Sequence, residues 1–401
     1  MKNMTLRAVP ALMLVAFSGA ASAAAFQLWE QNASGLGNAY AGSAAVADNA
    51  STIFFNPAGM TQFDGLQMSV GVNGIGASYK FRNEGSTLSG GNGGDAGGWA
   101  AVPNAYFAWR LTPKWSLGIG ISAPFGLATE YEDSNWVGRV HSLKSEIKTV
   151  NYNPSIAYRL NDKISLGFGV DYQTIDAELT SAAGAPFNYS RMKGDDSAWG
   201  WNAGALFKLS PAMRVGVSYR SAMDYTLQGN ATTAVSNTPV RADVKLPDTF
   251  ILSVWQQVSD RWEAMGDLSY TRWNSLKQLN VYNRNSGALL SSETFNYDNS
   301  WRIAWGAAYR ANEAVKIKFG VAYDRTPTSN DDRSARVPDN DRLWLSLGGQ
   351  WNAGRYGKID LGYSYLYVKD PSINQTKSGI VLRGHYDASA HIVGMQYSLG
   401  F

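Results

Sequence analysis

The sequence contains no cysteine and has almost no surplus of charge. Without cysteine the chain has no disulfide scaffold, no thiolate nucleophile and no cysteine metal ligand. Its 35 basic and 32 acidic residues leave a net charge of only +3. A charge this small gives no field that would attract nucleic acid or a strongly acidic partner, and we expect no nucleic-acid binding.

Motifs for metal, phosphate or cofactor binding are also scarce. The glycine-rich stretch 90–98 lacks the Lys-Ser/Thr pair of a phosphate-binding loop. Asp331-Asp332 and Asp339-Asn340-Asp341 offer carboxylates that calcium could use, but such loop acids are more often solvated. We therefore expect no metal and no cofactor.

Long hydrophobic runs are absent except at the N-terminus. Lys2 and Arg7 precede an apolar run from Ala8 to Phe17, and Ala21-Ser22-Ala23 then supplies a small-residue cleavage site. This pattern predicts a signal peptide over residues 1–23 and an exported mature chain. No later window approaches the roughly 20 apolar residues of a membrane-spanning helix.

Glycine and aromatic residues are abundant instead. The chain has 41 Gly, 21 Tyr, 14 Trp and 15 Phe, with a mean hydropathy of −0.24. Large apolar residues alternate with small or polar ones over 391–401, where Val393, Met395, Tyr397 and Leu399 lead to a terminal Phe401. Tight turns, aromatic girdles and this period of two favour a transmembrane β-barrel, although composition alone is compatible with a soluble β-sandwich.

The chain divides into fourteen such strands. Their connections alternate between short turns, such as 111–113 and 161–162, and long loops, such as 182–196 and 280–297. This alternation predicts an all-β, 14-stranded antiparallel transmembrane barrel over residues 65–401. Fourteen strands enclose a wide lumen. Residues 24–64, rich in small side chains, are the segment we expect to plug it as a hatch.

Two further stretches depart from the strand pattern. Pro124-Phe125-Gly126 follows the third strand and predicts a break or kink in the wall. In the connection after it, apolar residues fall at helical spacing, which favours either a cap over the barrel mouth or an outward-facing hydrophobic groove. These residues are Trp136, Val140, Leu143 and Ile147.

Several segments together resemble the FadL/TodX (OmpP1) family of outer-membrane transporters of hydrophobic compounds and long-chain fatty acids. The resemblance covers essentially the whole mature sequence. It rests on Ala24-Ala25-Phe26-Gln27-Leu28, on 34–42, on Asn56-Pro57-Ala58, on Phe125-Gly126-Leu127-Ala128-Thr129-Glu130-Tyr131, on 153–159, on 337–346 and on Phe401.

The resemblance implies passive uptake across the outer membrane of a Gram-negative bacterium. It implies groove capture, an inner pocket near Phe26 and Leu28, and lateral exit through a kinked third strand. The gate and hatch would include Asn56, Pro57, Ala58, Pro124 and Gly126. Implied partners are a fatty acid or hydrocarbon, outer-membrane lipid and lipopolysaccharide, and the barrel-assembly machinery, which would recognise the strand ending in Phe401. We expect a monomer.

One departure from the family concerns the substrate carboxylate. Fatty-acid carriers of the family place basic residues in the fifth and ninth strand regions, where this chain has only Lys277, together with the acidic Asp176. Long-chain fatty acids remain the expected substrates, with Lys277 as the candidate base. Neutral aromatic or alkane hydrocarbons are the alternative.

Two other function classes fit less well. An outer-membrane lipid hydrolase needs a nucleophile, a base and an orienting group. Of the three histidines, His141, which precedes Ser142, cannot align with it on a strand or a helix. A general porin would not need the plug or the apolar loop. We therefore expect a transporter and no enzyme.

Replacing Gly126 by Val should slow uptake of a hydrophobic solute without unfolding the barrel, because bulk is added where the wall is expected to open. Uptake by cells expressing the variant is the measurement. Uptake equal to that of the parent chain would contradict lateral exit.

Overall fold

The computed structural model describes residues 25–183 and 188–401, so the predicted signal peptide, 1–23, lies outside the described residues. Within them, no helix is long and apolar enough to cross a membrane. The strands are β1 Leu66–Asn83, β2 Gly98–Arg110, β3 Trp115–Ser122, β4 Gly126–Glu130, β5 Lys144–Arg159, β6 Ile164–Ala183, β7 Asn188–Ser210, β8 Met213–Arg220, β9 Met223–Thr232, β10 Asn237–Leu246, β11 Thr249–Gln257, β12 Trp262–Thr271, β13 Gln278–Asn283, β14 Leu289–Thr294, β15 Ser300–Arg310, β16 Val315–Asp324, β17 Arg342–Asn352, β18 Lys358–Val368, β19 Ser372–Lys377 and β20 Ile380–Gly400.

The strands close into one antiparallel barrel, in which β1 pairs with both β2 and β20. Six passes across the wall are interrupted and consist of two strands each: β3 with β4, β8 with β9, β10 with β11, β12 with β13, β14 with β15, and β18 with β19. The part of the chain that the structure describes therefore forms fourteen wall strands. This confirms the predicted fold class.

The long loops are shorter than the sequence predicts. Residues 182–196 and 280–297, expected as loops, are largely paired: β6 pairs with β7 up to Ala183 and Asn188, and β13 pairs with β14. These strand extensions lie beyond the hydrocarbon layer, where both faces of a strand can be polar. They therefore lack the apolar period of two by which a strand is recognised in the sequence.

The outer surface carries the apolar face of the alternation. Leu345, Leu347 and Leu361 are each about half exposed and point away from the lumen. Aromatic residues lie at both ends of this surface, with Trp301 against Tyr323 at one end and Trp262 against Tyr309 at the other. This arrangement matches the aromatic girdles of outer-membrane barrels.

The N-terminal hatch lies in the lumen. It contains a 3-10 turn, Leu36–Asn38, a one-turn helix α1, Thr52–Phe55, and a second 3-10 turn, Pro57–Gln62. The Asn56 side chain caps the second turn by accepting from Ala58 N, and donates to Ala44 O at 2.8 Å and to Ala205 O of β7 at 3.0 Å. Asn56 therefore joins two parts of the hatch to the wall. The boundaries 24–64 and 65–401 remain predictions.

Glycines of the wall let the hatch backbone dock directly on the strands. A Cβ atom added to Gly320 of β16 would overlap the backbone of Asn38 and Ala39. One at Gly216 of β8 would overlap the backbone of Ala44. No larger residue fits these positions unless the hatch moves.

Buried polar bonds reinforce this docking. Lys318 Nζ donates to Ser34 O at 2.8 Å and to Asp360 Oδ1 at 2.7 Å. On the other side, Asp267 Oδ2 accepts from Ser43 Oγ at 2.7 Å. The hatch is thus held from several directions around the barrel.

Replacing Gly320 by Ala should loosen the hatch by about 1–3 kcal/mol, the usual cost of overpacking a tight contact. Hydrogen exchange at Tyr40 and Ala41, whose amides bond within the hatch, should accelerate while the wall strands stay protected. Gly266→Ala is the matched control, because a Cβ there has no neighbour closer than 4.0 Å. Equal exchange in the two variants would contradict the docking role of Gly320.

Candidate functional site

The wall breaks between β3 and β4 at residues 123–125. Below the break β3 pairs with β2 as far as Ile121 and Ala105, whereas above it β4 pairs along its length with β5. Thr149 of β5 holds the break, since its Oγ1 donates to Phe125 O at 2.7 Å and accepts from Phe125 N at 3.0 Å. The kink therefore interrupts the wall between β2 and β4 while remaining tied to β5.

The start of the hatch pairs with this kink from the lumen side. We call residues 25–31 the arm. Leu28 N donates to Pro124 O at 2.8 Å, and Gly126 N donates to Phe26 O at 2.9 Å. A Cβ at Gly126 would lie 3.0 Å from Leu28 Cδ1. Phe26, Leu28, Pro124 and Gly126, all predicted site residues, thus lie together.

Asp339 anchors the first described residue of the arm. Its Oδ2 accepts from Ala25 N at 2.8 Å and from Thr326 Oγ1 at 2.6 Å, and its other oxygen pairs with Arg342. Asp339 is buried and occupied by these bonds. Within the described ranges no group of three or more metal-ligating side chains is present.

Phe26 lies in an apolar cluster that we call the inner cluster. Its ring packs edge-on against Trp273 at 4.8 Å between centroids and lies 6.2 Å from Phe125. Its buried apolar members among the described residues are Ala25, Phe26, Phe125, Leu127, Ile175, Ala198, Met223, Tyr225, Leu227, Leu246, Trp273, Leu276, Phe295, Tyr297 and Val337.

Two neutral polar groups of the inner cluster have no hydrogen-bond partner among the described residues, the Tyr225 hydroxyl and the Trp273 indole. The indole Nε1 of Trp273 is buried and has no hydrogen-bond acceptor among the residues described. A buried donor without an acceptor is costly unless a ligand or water satisfies it. Trp273 lies in the 3-10 turn Trp273–Ser275 that interrupts a wall strand, so no strand period could have identified it.

A cavity of about 560 Å3, which we call the outer groove, lies on the long-loop side of the barrel. This volume is in the usual range for small-molecule sites. Its apolar lining includes Val140, Leu179, Met192, Leu279, Val281, Leu290 and Ile380.

Charged residues close one end of the outer groove. Glu293 accepts from Lys377 Nζ at 3.2 Å and from Ser334 Oγ at 2.9 Å, and Arg336 Nε lies 3.9 Å from the same carboxylate. Two cations thus face one carboxylate. Lys377 ends β19, whereas Arg336 lies in the connection between β16 and β17, so their sequence spacing carries no signal.

His141 lies beside this charged end. Its Nδ1 is 3.2 Å from Gln375 Oε1, and burial is the main cause of its lowered pKa, so the ring is neutral at pH 7. Ser142 Oγ contacts Ser145 Oγ rather than the histidine. The pair therefore lacks the nucleophile-base geometry of a hydrolase.

The predicted groove residues do not share one surface. Trp136 is fully buried, and its ring stacks on that of Tyr131 with 3.7 Å between the centroids. Leu143 packs against the buried hydrophobic cluster that contains Trp136. Ile147 of β5 packs against the inner cluster instead. Val140 lines the outer groove. The helical spacing was misleading, because residues 131–143 form turns that bury Trp136 as a cap.

Lys277 lies outside the inner cluster. Its side chain is exposed and its Nζ donates to Tyr297 O at 2.7 Å, while the preceding Leu276 points inward. Asp176 is likewise exposed, and its neighbour Ile175 belongs to the cluster. Lys277 thus reaches the inner cluster only at the backbone carbonyl of Tyr297.

Replacing Thr149 by Val keeps the side-chain shape but removes both bonds to Phe125. We expect the kink to loosen by about 1–3 kcal/mol, the cost of leaving buried polar groups unpaired. Faster hydrogen exchange at Phe125 and Gly126 would report it. Thr174→Val is the control, and unchanged exchange at the kink would contradict this role of Thr149.

Comparison with known proteins was made on the whole chain. Outer membrane protein P1 of Haemophilus influenzae is 33% identical over 431 residues, covering 94% of this chain and 93% of that protein. The long-chain fatty acid transport protein of Escherichia coli O6:H1 is 28% identical over 446 residues, covering 100% and 99%.

The fold has a solved counterpart. The crystal structure of a Pseudomonas aeruginosa FadL homologue superposes with a TM-score of 0.89 at 24% identity, covering 94% of this chain and all of that one. The family described as "Outer membrane protein transport protein (OMPP1/FadL/TodX)" matches residues 14–401. This chain therefore belongs to the OMPP1/FadL/TodX family of outer-membrane transport proteins.

Proposed function

We propose that this protein carries long-chain fatty acids passively across the outer membrane. The ligand enters the outer groove, passes to the inner cluster and leaves sideways through the wall at the kink. One observation carries the proposal: the arm that fills the inner cluster with Phe26 is the same segment that pairs with the wall break.

The energetics favour a dry path. Burying a methylene is worth about 0.8 kcal/mol, so a sixteen-carbon chain prefers an apolar site over water by roughly ten kcal/mol or more. Such a ligand does not travel through a water-filled pore. It moves between apolar sites down its concentration gradient, and no cofactor or energy source is required.

The interior composition supports lateral rather than axial exit. Beside the arm on the lumen side lie the buried charges of Arg302 and Arg342, which disfavour an alkyl chain. The hatch below is fixed by backbone contacts to the wall. At the kink, by contrast, Phe125 and Leu127 continue the inner cluster into the wall.

We assign roles to the site residues accordingly. Phe26, Leu28, Pro124 and Gly126 form the gate, and Asn56 with Pro57 and Ala58 holds the hatch behind it. Val140 belongs to the outer groove. Arg336 and Lys377, rather than Lys277, are the candidates for the substrate carboxylate, which would exchange with Glu293 at the end of the groove.

A second candidate function is uptake of neutral aromatic or alkane hydrocarbons. It is favoured by the aromatic rings of Phe125 and Trp273 that pack around Phe26 in the inner cluster. A neutral molecule would need only the dry path and not the charged end of the outer groove.

Three further proposals concern the partners of the protein and its domain boundaries. The protein acts as a monomer in contact with outer-membrane lipid and lipopolysaccharide. The strand ending in Phe401 is the segment that the barrel-assembly machinery recognises. Residues 24–64 form the hatch and 65–401 the barrel.

The test is uptake of labelled long-chain fatty acid and labelled toluene by cells that lack their own transporters and express this chain. We expect fatty-acid uptake. Lys377→Gln should lower the apparent affinity for fatty acid about tenfold, equal to about 1.4 kcal/mol, because one charged partner is lost. Glu293→Gln should raise it, because the competing carboxylate is gone.

Toluene uptake should respond to neither substitution. Lys369→Gln, an exposed lysine outside the groove, is the matched control. Toluene uptake alone would favour the hydrocarbon function, and no uptake of either compound would overturn both candidates.

A further inference from the structure

Glu30 of the arm is a buried carboxylic acid without a hydrogen bond to any other described residue. Its side chain is fully inaccessible, and neither Oε1 nor Oε2 has a partner on another residue of the described ranges. A buried carboxylate normally accepts several hydrogen bonds or pairs closely with a cation. The surroundings of Glu30 therefore suit the neutral acid better than the anion.

Two arginines lie near Glu30, and each bonds to another group while two of its guanidinium nitrogens have no hydrogen-bond partner among the described residues. Arg342 of β17 forms its ion pair with Asp339. Arg302 of β15 donates to Ala39 O at 2.7 Å and lies over the ring of Trp29 at 4.6 Å.

Two further titratable groups face the site, namely Asp324 of β16 and the hydroxyl of Tyr40 from the hatch. Asp324 disfavours a second negative charge. Burial is the largest effect and raises the pKa of Glu30 to about 7, although a hydrogen bond to its own backbone and the charges of Arg342 and Arg302 act in the opposite direction.

The backbone connects Glu30 directly to the gate. Its carbonyl accepts from Asn73 Nδ2 at 2.8 Å, which fixes the residue to β1. The next residue, Gln31, donates from Nε2 to Leu28 O and to Ala123 O, each at 2.8 Å. Displacing the Glu30 side chain therefore disturbs the bonds that hold the arm on the kink.

We propose that Glu30 is a positioning residue of the gate: as the neutral acid it keeps the arm docked on the kink, and its ionisation releases the arm. The assignment of the arm as a gate rests on the proposed function. The effect on the arm itself is a property of the protein without ligand.

The direction with pH follows from linkage. The pKa is about 7 in the docked arm and is expected near the ordinary 4.5 once the side chain reaches water. Docking is therefore strongest below pH 4.5, weakens as pH rises from 4.5 to 7, and changes little above that. Between about pH 5.5 and pH 8 the opening equilibrium should increase about 25-fold.

Hydrogen exchange on the full chain in lipid vesicles tests this, with rates corrected for the intrinsic effect of pH. The reporters are the amides of Leu28 and Gly126, which bond the arm to the kink, and the reference is Asn56 N, bonded to Thr52 O at 2.7 Å within the docked hatch. We expect about 25-fold more opening at the reporters near pH 8 than near pH 5.5. The reference should stay unchanged.

Glu30→Gln should remove the pH dependence and keep the reporters protected at both values. The control Glu313→Gln, an exposed acid in a short turn, should behave like the parent chain. Equal protection of the parent chain at both pH values would overturn the proposal without any variant, as would a pH dependence that survives Glu30→Gln or affects the reference equally. The exchange experiment contains no transported molecule, so its outcome does not depend on whether the uptake test of the proposed function succeeds.

Discussion

Direct contact between the hatch backbone and the wall is the constraint on which the rest of the structure depends. Gly216 and Gly320 lack the Cβ atom that would separate hatch from wall. The same small-residue hatch could not fold alone, since it offers few large side chains to bury. Its stability comes from the barrel, and in return it fills a lumen that fourteen strands leave too wide for their own side chains.

Filling the lumen in this way decides where a hydrophobic molecule can go. Along the axis it would meet the buried charges of Lys318 and Asp360 and the bonded hatch backbone. At the side, the wall is already interrupted at 123–125 and is closed by the arm, which bonds to the kink through two backbone hydrogen bonds and through Gln31 Nε2. This closure borders on the apolar residues of the inner cluster.

The sequence allowed the barrel and its kink to be predicted because each has a local cause. Alternation along β20 and β18 reflects which face meets lipid, and Pro124 cannot complete a strand ladder. No local sequence pattern, by contrast, marks the charged end of the outer groove. Lys377 of β19 and Glu293 of β14 meet across 84 positions of sequence, and only the folded chain brings them together.

Burial also changed the meaning of residues that were visible in the sequence. Asp339 looked like a solvated loop acid or a calcium ligand, yet it is buried and holds the arm through Ala25. Trp136 looked like a groove residue, yet it stacks inside the loop core.

Both outcomes depend on which side of a loop faces the lumen, and composition does not encode this. A periodic pattern identifies a face only where one face meets lipid and the other does not. Above the membrane that contrast disappears, and there the specificity of this transporter has to be inferred from three-dimensional contacts.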